Sequence, residues 1–174
     1  MKISAPNGWR SVNARREAVS GPANRGLGID SMAPIRTRRE ALVREHMAAE
    51  TALDFDRVMA TFAHPRYELI GTDTIFDGDA DVRHYFALSR TPFPDQSNEL
   101  IELHHTDDGV LAEFWLLGTH LGPLRIGNRV IEPTGRAFRV RMAALFLFDD
   151  EAIVCERVWF DQLSILRQLG LALE

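Results

Sequence analysis

Among the side chains able to move a proton, Glu156 has the most suggestive surroundings. Alternation along residues 152–160 puts Val154, Glu156, Val158 and Phe160 on one strand face, and Cys155, Arg157 and Trp159 on the other, with Asp161 following in the same phase. A carboxyl between apolar neighbours loses hydration, so its pKa rises and it becomes usable as a general acid or base near neutral pH. The structural reading of the same residue is an ion pair with Arg139 or Arg141 on the preceding strand. His46 and Glu50 are four residues apart and share a helix face, with His46 in register with the inward-facing Leu42, Ala49 and Leu53. Glu50 could orient the imidazole as a base; two ligands leave a metal site incomplete, and no metal is expected. His120 ends a strand at Gly118-Thr119-His120, where it could donate to a ligand carbonyl, shuttle a proton, or simply bond loop backbone. Asp161 stands directly before a closing helix, as a catalytic acid or as the helix N-cap, and the cap is the favoured reading.

Other groups carry less chemistry. His104 and His105 are adjacent on a strand and point to opposite faces, so they cannot chelate together. Asp107-Asp108-Gly109 lacks the later ligands of a calcium loop and reads as a hairpin turn. Cys155 is the only cysteine, which excludes an internal disulfide and a thiolate zinc site. The strip Phe138, Val140, Met142, Ala144, Phe146 and Phe148 reads as core first and pocket second. Met142, Ala144 and Phe146, with Val158, Trp159 and Phe160 of the last strand, are the expected walls of a site for a hydrophobic small molecule.

The elements that must position these groups follow from pattern. Thr37 to Glu40 has the form of a capping box and opens a helix bearing Leu42, Val43, His46, Met47, Ala49 and Leu53. Asp54 caps a second helix, which His64-Pro65 stops. Short strands at 67–70 and 74–76 precede an Asp77-Gly78 turn and a helix over 79–89. Strands then span 98–106, 110–120, 137–148 and 152–160, with a Gly- and Pro-rich loop at 121–135 and a turn at Gly127-Asn128. A helix over 161–169 closes the chain, with Gly170 at its C-terminal cap. Helices first and a meander afterwards predict an α+β domain with helices on one face of a curved antiparallel sheet.

At 174 residues and 45% hydrophobic composition the chain can bury one ordinary core. Net charge is −5, and no basic stripe with interleaved aromatics appears, so nucleic acid is not an expected partner. The longest wholly apolar run, 142–148, is too short for a membrane span, and without a secretory h-region a cytoplasmic location is expected. Residues 1–31 differ: five basic residues stand against Glu17 and Asp30, among glycines and prolines with few large apolar side chains. This stretch is expected to be a disordered or loosely ordered extension to a domain over 36–171.

His64-Pro65-Arg66-Tyr67, Gly118-Thr119-His120-Leu121-Gly122, Pro133-Thr134-Gly135-Arg136 and Arg167-Gln168-Leu169-Gly170, in this order, resemble the SnoaL-like polyketide cyclases of the nuclear-transport-factor-2-like superfamily. The resemblance implies a cone-shaped fold with a cavity between helices and concave sheet, often a homodimer through the sheet's outer face. It also implies an intramolecular aldol closure, by an Asp acting as acid and base, without cofactor or metal. Anchored at Arg167-Gln168-Leu169-Gly170, that Asp falls on Val158, and a His of the preceding strand falls on Ala144. Three readings stay open: a cofactor-free cyclase or isomerase using Glu156, with His120 or His46 assisting; a non-catalytic binding or hetero-complex module; and a ketosteroid-isomerase-like site, whose phenol would be Tyr67 or Tyr85.

Overall fold

The computed structural model describes residues 33–171, so the expectation for residues 1–31 lies outside the described residues. The order is α1 (Ala33–Thr51), α2 (Phe55–Ala60), β1 (Arg66–Leu69), a 3-10 turn (Ile70–Thr72), β2 (Thr74–Asp77), α3 (Asp79–Arg90), β3 (Ser97–His105), β4 (Gly109–Thr119), β5 (Leu124–Ile126), β6 (Arg129–Ile131), β7 (Ala137–Asp149), β8 (Ala152–Phe160) and α4 (Gln162–Gln168). Six strands form one open sheet in the order β2-β1-β8-β7-β4-β3, and β5 and β6 form a separate hairpin.

The sheet is mixed rather than wholly antiparallel. β1 runs parallel to β8, pairing Tyr67 with Glu156 and Leu69 with Val158. Alternation in each strand is silent about neighbours distant in sequence, and this pairing depends on such a neighbour. The long strands β4 and β7 pair along their whole lengths, from Gly109↔Leu147 to Thr119↔Ala137. On β7 the inward set Phe138, Val140, Met142, Ala144, Phe146 and Phe148 is buried, as period-2 burial requires. The outward Arg139 and Arg141 pair with Glu99 and Glu113, each at 2.8 Å, and Arg139 lies over the Trp115 ring at 3.9 Å. Both arginines proposed as partners for Glu156 are thereby committed to the other face.

Three local expectations change. Thr37 does not open α1: its hydroxyl donates to the Ala33 carbonyl one turn back, inside the helix. The loop over 121–135 contains the β5–β6 hairpin, turning at Gly127 with φ 57. A bulge between Leu147 and Phe148 shifts the β7–β8 register, so Ile153 faces Phe148 in the core, and strict alternation from Val154 fails at this end. Asp54 does cap α2, accepting from the Arg57 N–H at 3.1 Å, and Gly170, at φ 73, follows α4 in the left-handed conformation.

The core lies between the concave sheet and the helices. Val43, Met47, Val58, Val82, Phe86 and Ile165 reach it from α1, α2, α3 and α4. Among the described residues no helix is long and apolar enough to cross a membrane. The result is an α+β cone: a curved, unclosed sheet with helices over its inner face.

Candidate active site

α1 points Val43, His46 and Met47 inward at helical spacing, and His46 is wholly buried. Its Nδ1 lies 2.7 Å from the Thr61 hydroxyl oxygen. That hydroxyl spends its own hydrogen on the Val58 carbonyl at 2.6 Å, so it accepts from His46 and Nδ1 carries a proton. Nε2 faces three oxygens: Tyr67 Oη at 2.9 Å, Glu156 Oε2 at 3.2 Å and Glu50 Oε1 at 3.8 Å. The Tyr67 hydroxyl is also 2.9 Å from Glu50 Oε1, to which it donates.

One phenolic hydrogen cannot serve two acceptors, which ties its direction to the protonation of its neighbours. With Tyr67 donating to Glu50, its oxygen faces Nε2 as an acceptor; Nε2 then holds a proton and Glu156 is a carboxylate. If that proton passes to Glu156, Tyr67 can turn its hydroxyl to Nε2. The cluster therefore stores one mobile proton between His46 and Glu156 and has a hydroxyl that follows it.

Burial sets the electrostatics. Glu156 is 4% exposed, and Oε2, although close to Nε2, is too poorly aligned for a full hydrogen bond. Burial, and next the charge of Glu50, raise its pKa above 4.5, while His46 and Tyr67 oppose the rise. For His46, burial alone would lower the value, but the contact and charge of Glu156, with Glu50, outweigh it and hold the imidazole above 6.5. Burial pushes the Tyr67 phenol far up, helped by the charges of Glu156 and Glu50, so it stays a donor. Tyr85, whose ring lies 4.9 Å from that of Tyr67, is raised chiefly by burial, against the charge of Arg90.

The cluster backs onto a cavity of about 380 Å³, within the range of small-molecule sites. Glu50, Tyr85 and Glu156 reach its wall, and His46 stands behind Glu156. His46, Glu50 and Glu156 each offer one donor atom, all within 4.8 Å of one another, a spacing a cation could use. Both imidazole nitrogens already have hydrogen-bonding neighbours, however, and the arrangement reads as a proton-sharing network.

The residues singled out from sequence divide three ways. Glu156 and His46 come together, and Met142, Val158 and Phe160 line the cavity. Phe146 and Ala144 do not reach the wall: Phe146 packs edge-on to His46 at 5.3 Å, and Ala144 is fully buried opposite Val158. Trp159 and His120 need correcting, and Asp161 takes the cap reading favoured from sequence rather than the catalytic one. Trp159 is 40% exposed on the outer face, because strand parity opposes it to Val158. Asp161 is the α4 cap, accepting from the Ser164 N–H at 3.0 Å, and its hydrogen bonds with Ser164 lower its pKa. His120 is buried beside Phe93, and its Nδ1 accepts from the Thr134 N–H at 3.2 Å, apart from Glu156 and off the cavity wall. Sequence reasoning missed Thr61, Arg90 and Gln96. Thr61 carries no local signal, since only the fold brings it beneath His46.

A family model described as "SnoaL-like domain" matches residues 43–156. No curated protein matches the chain. Among solved structures, the chain is similar to a Jannaschia protein described as a candidate SnoaL-like polyketide cyclase, at 19% identity over 81% of this chain and 97% of that one, TM-score 0.71. It is similar to IdmH of Streptomyces antibioticus, described as a candidate polyketide cyclase, at 22% identity over 76% and 99%, TM-score 0.64. A third is SalBIII, described as an epoxide hydrolase/cyclase-like enzyme with a role in pyran ring formation in salinomycin, at 18% identity over 74% and 95%, TM-score 0.61.

Proposed function

We propose, from the premise that this chain belongs to the SnoaL-like domain family, that it is a cofactor-independent isomerase or cyclase acting by proton transfer on a hydrophobic carbonyl compound. The carrying observation is the Glu156 carboxyl: buried, at the cavity wall, 3.2 Å from His46 Nε2, with no arginine beside it among the described residues. On the resemblance anchored at Arg167-Gln168-Leu169-Gly170, the family's Asp falls on Val158, which pairs in register with Ala144. Glu156 lies one inward position earlier on β8, where α1 brings His46 behind it. A displaced acid/base is thus available.

In this reading the Glu156 carboxylate removes a proton from the carbon beside a carbonyl, and the C–H electron pair moves to the carbonyl oxygen as an enolate. Tyr85 at the cavity wall donates to that oxygen. Glu156 then returns the proton to another carbon, giving an isomer, or the enolate carbon attacks a second carbonyl, closing a ring, and Glu156 returns the proton to the alkoxide that forms. Glu156 itself holds the transferred proton between the two steps, while His46 remains protonated behind it. A non-catalytic binding module is the second reading, supported by the apolar pair Val158 and Ala144 in place of the family's proton-moving groups.

The test follows deuterium exchange at the activated methylene of 2-tetralone in D₂O by NMR. Wild type should accelerate exchange over buffer, and Glu156→Gln, folded by circular dichroism, should remove the acceleration by about 10²-fold or more, the usual share of a positioned acid/base. Equal rates in wild type and variant would leave only the binding reading.

A further inference from the structure

Two cations lie at the cavity wall: Arg125 is exposed to solvent, and Arg90 is partly buried without a partner that its position explains. Arg90 ends α3 and lies at the cavity wall beside Ser89. Its Nη1 donates to the Ser89 hydroxyl at 3.2 Å, and its guanidinium lies 5.7 Å from the centre of the Phe55 ring. Its Nε is buried without a hydrogen-bond partner, and among the described residues no carboxylate makes an ion pair with it. Other charged arginines facing sheet or helix surfaces, such as Arg66, Arg83, Arg139, Arg141 and Arg157, all have carboxylate partners.

A guanidinium with a desolvated N–H is costly unless a partner supplies charge and acceptor atoms together. Arg90 is not held away from the cavity by such a partner, so the missing acceptor belongs to whatever fills the cavity. The guanidinium fork of Arg90 matches the two oxygens of a carboxylate, whereas the exposed Arg125 keeps its hydration and needs no such partner. Gln96, buried and also on the cavity wall, adds an uncharged amide.

We infer that the cavity takes an amphiphilic carboxylate, an apolar ring or chain whose carboxylate binds Arg90 while its carbonyl end meets Glu156 and Tyr85. The inference rests on the proton-transfer reading only for the placement of the carbonyl end; the carboxylate subsite stands on Arg90 alone. Arg90 holds the substrate and is not a catalytic residue.

Binding of 2-naphthoate and of its neutral isostere 2-naphthamide to the full chain, by calorimetry, tests this without any turnover. Wild type should prefer the carboxylate by at least about tenfold, as a charge-assisted pair implies. Arg90→Gln should abolish the preference and leave amide binding unchanged. Arg90→Lys, which keeps charge without the fork, should restore part of it, and Glu156→Gln should retain it in full. Equal affinity of wild type for both probes, binding of neither, or an intact preference in a folded Arg90→Gln protein would overturn the inference. Loss of exchange activity in Glu156→Gln with no carboxylate preference in wild type would separate the two readings, sparing the acid/base and removing the subsite.

Discussion

Replacing Glu156 with Gln should remove a falling limb from the dependence of stability on pH. Burial first, then the charge of Glu50, holds Glu156 above 4.5, and Glu156 with Glu50 overcomes burial to hold His46 above 6.5. The folded chain therefore keeps protons that the unfolded chain has already released. The stability these groups contribute is fully present below their unfolded values and is lost as pH rises through the folded ones. Loss begins above pH 4.5 for Glu156 and above pH 6.5 for His46. The charged or titratable groups around the pair are Glu50 on α1, Tyr67 on β1 and Tyr85 on α3; Phe62 and Phe146, which also touch His46, carry no charge. Both phenols are raised, so they remain neutral through this window. Each pH unit over which the folded state holds one extra proton removes about 1.4 kcal/mol. For a chain of this size that is roughly 3–6 °C in Tm. Glu156→Gln deletes one titrating group and the anion that raises the other. The stability advantage of wild type over variant should therefore shrink as pH rises above 6.5, where both groups are losing protons that the unfolded chain has already released. Thermal unfolding followed by circular dichroism, in half-unit pH steps, measures it. Parallel curves, or a wild type that gains on the variant as pH rises, would refute the shared-proton network, the latter by showing an ordinary ionised carboxylate.

Two further outcomes separate site from scaffold. Asp161→Ala should cost about 1 kcal/mol through loss of the α4 cap, visible as a lower Tm, while exchange of 2-tetralone is unchanged; a selective loss of exchange would return Asp161 to the site. Trp159→Ala should leave naphthoate affinity within about 0.5 kcal/mol of wild type, as expected for a position outside the cavity. The same variant, examined by sedimentation, tests the proposal that the outer sheet face forms a homodimer: a shift to a slower species is the expected result.

How much of this was legible in sequence depended on the range of the interactions involved. Period-2 burial marked the inward face of β7 and placed Glu156, Val158 and Phe160 together, because strand parity is a local property of the backbone. The Asp54 and Asp161 caps, the Gly170 terminus and the turn at Gly127 were readable for the same reason: each is set by a few consecutive residues. The i, i+4 pair His46–Glu50 could be placed on one helix face, but not what that face would meet. Thr37 shows the limit of local signals, since a sequence with the form of a capping box lies inside α1 once the helix extends to Ala33.

Tertiary structure alone decided which proton-active groups share a site. His46 and Glu156 lie at opposite ends of the domain sequence, and only the parallel β1–β8 pairing and the packing of α1 bring them to 3.2 Å. The same packing sends His120 to Thr134, turns Trp159 outward, and puts Thr61 under the imidazole, where it fixes the tautomer. Arg90 acquires its meaning in this way too, as a charge whose Nε finds no partner at the cavity wall. Residue type and periodicity determined the elements and their faces, because those follow from backbone geometry over a few residues. The site was decided by contacts across long sequence separations, because a pKa and a hydrogen-bond partner depend on what the fold brings near and how much water it leaves there.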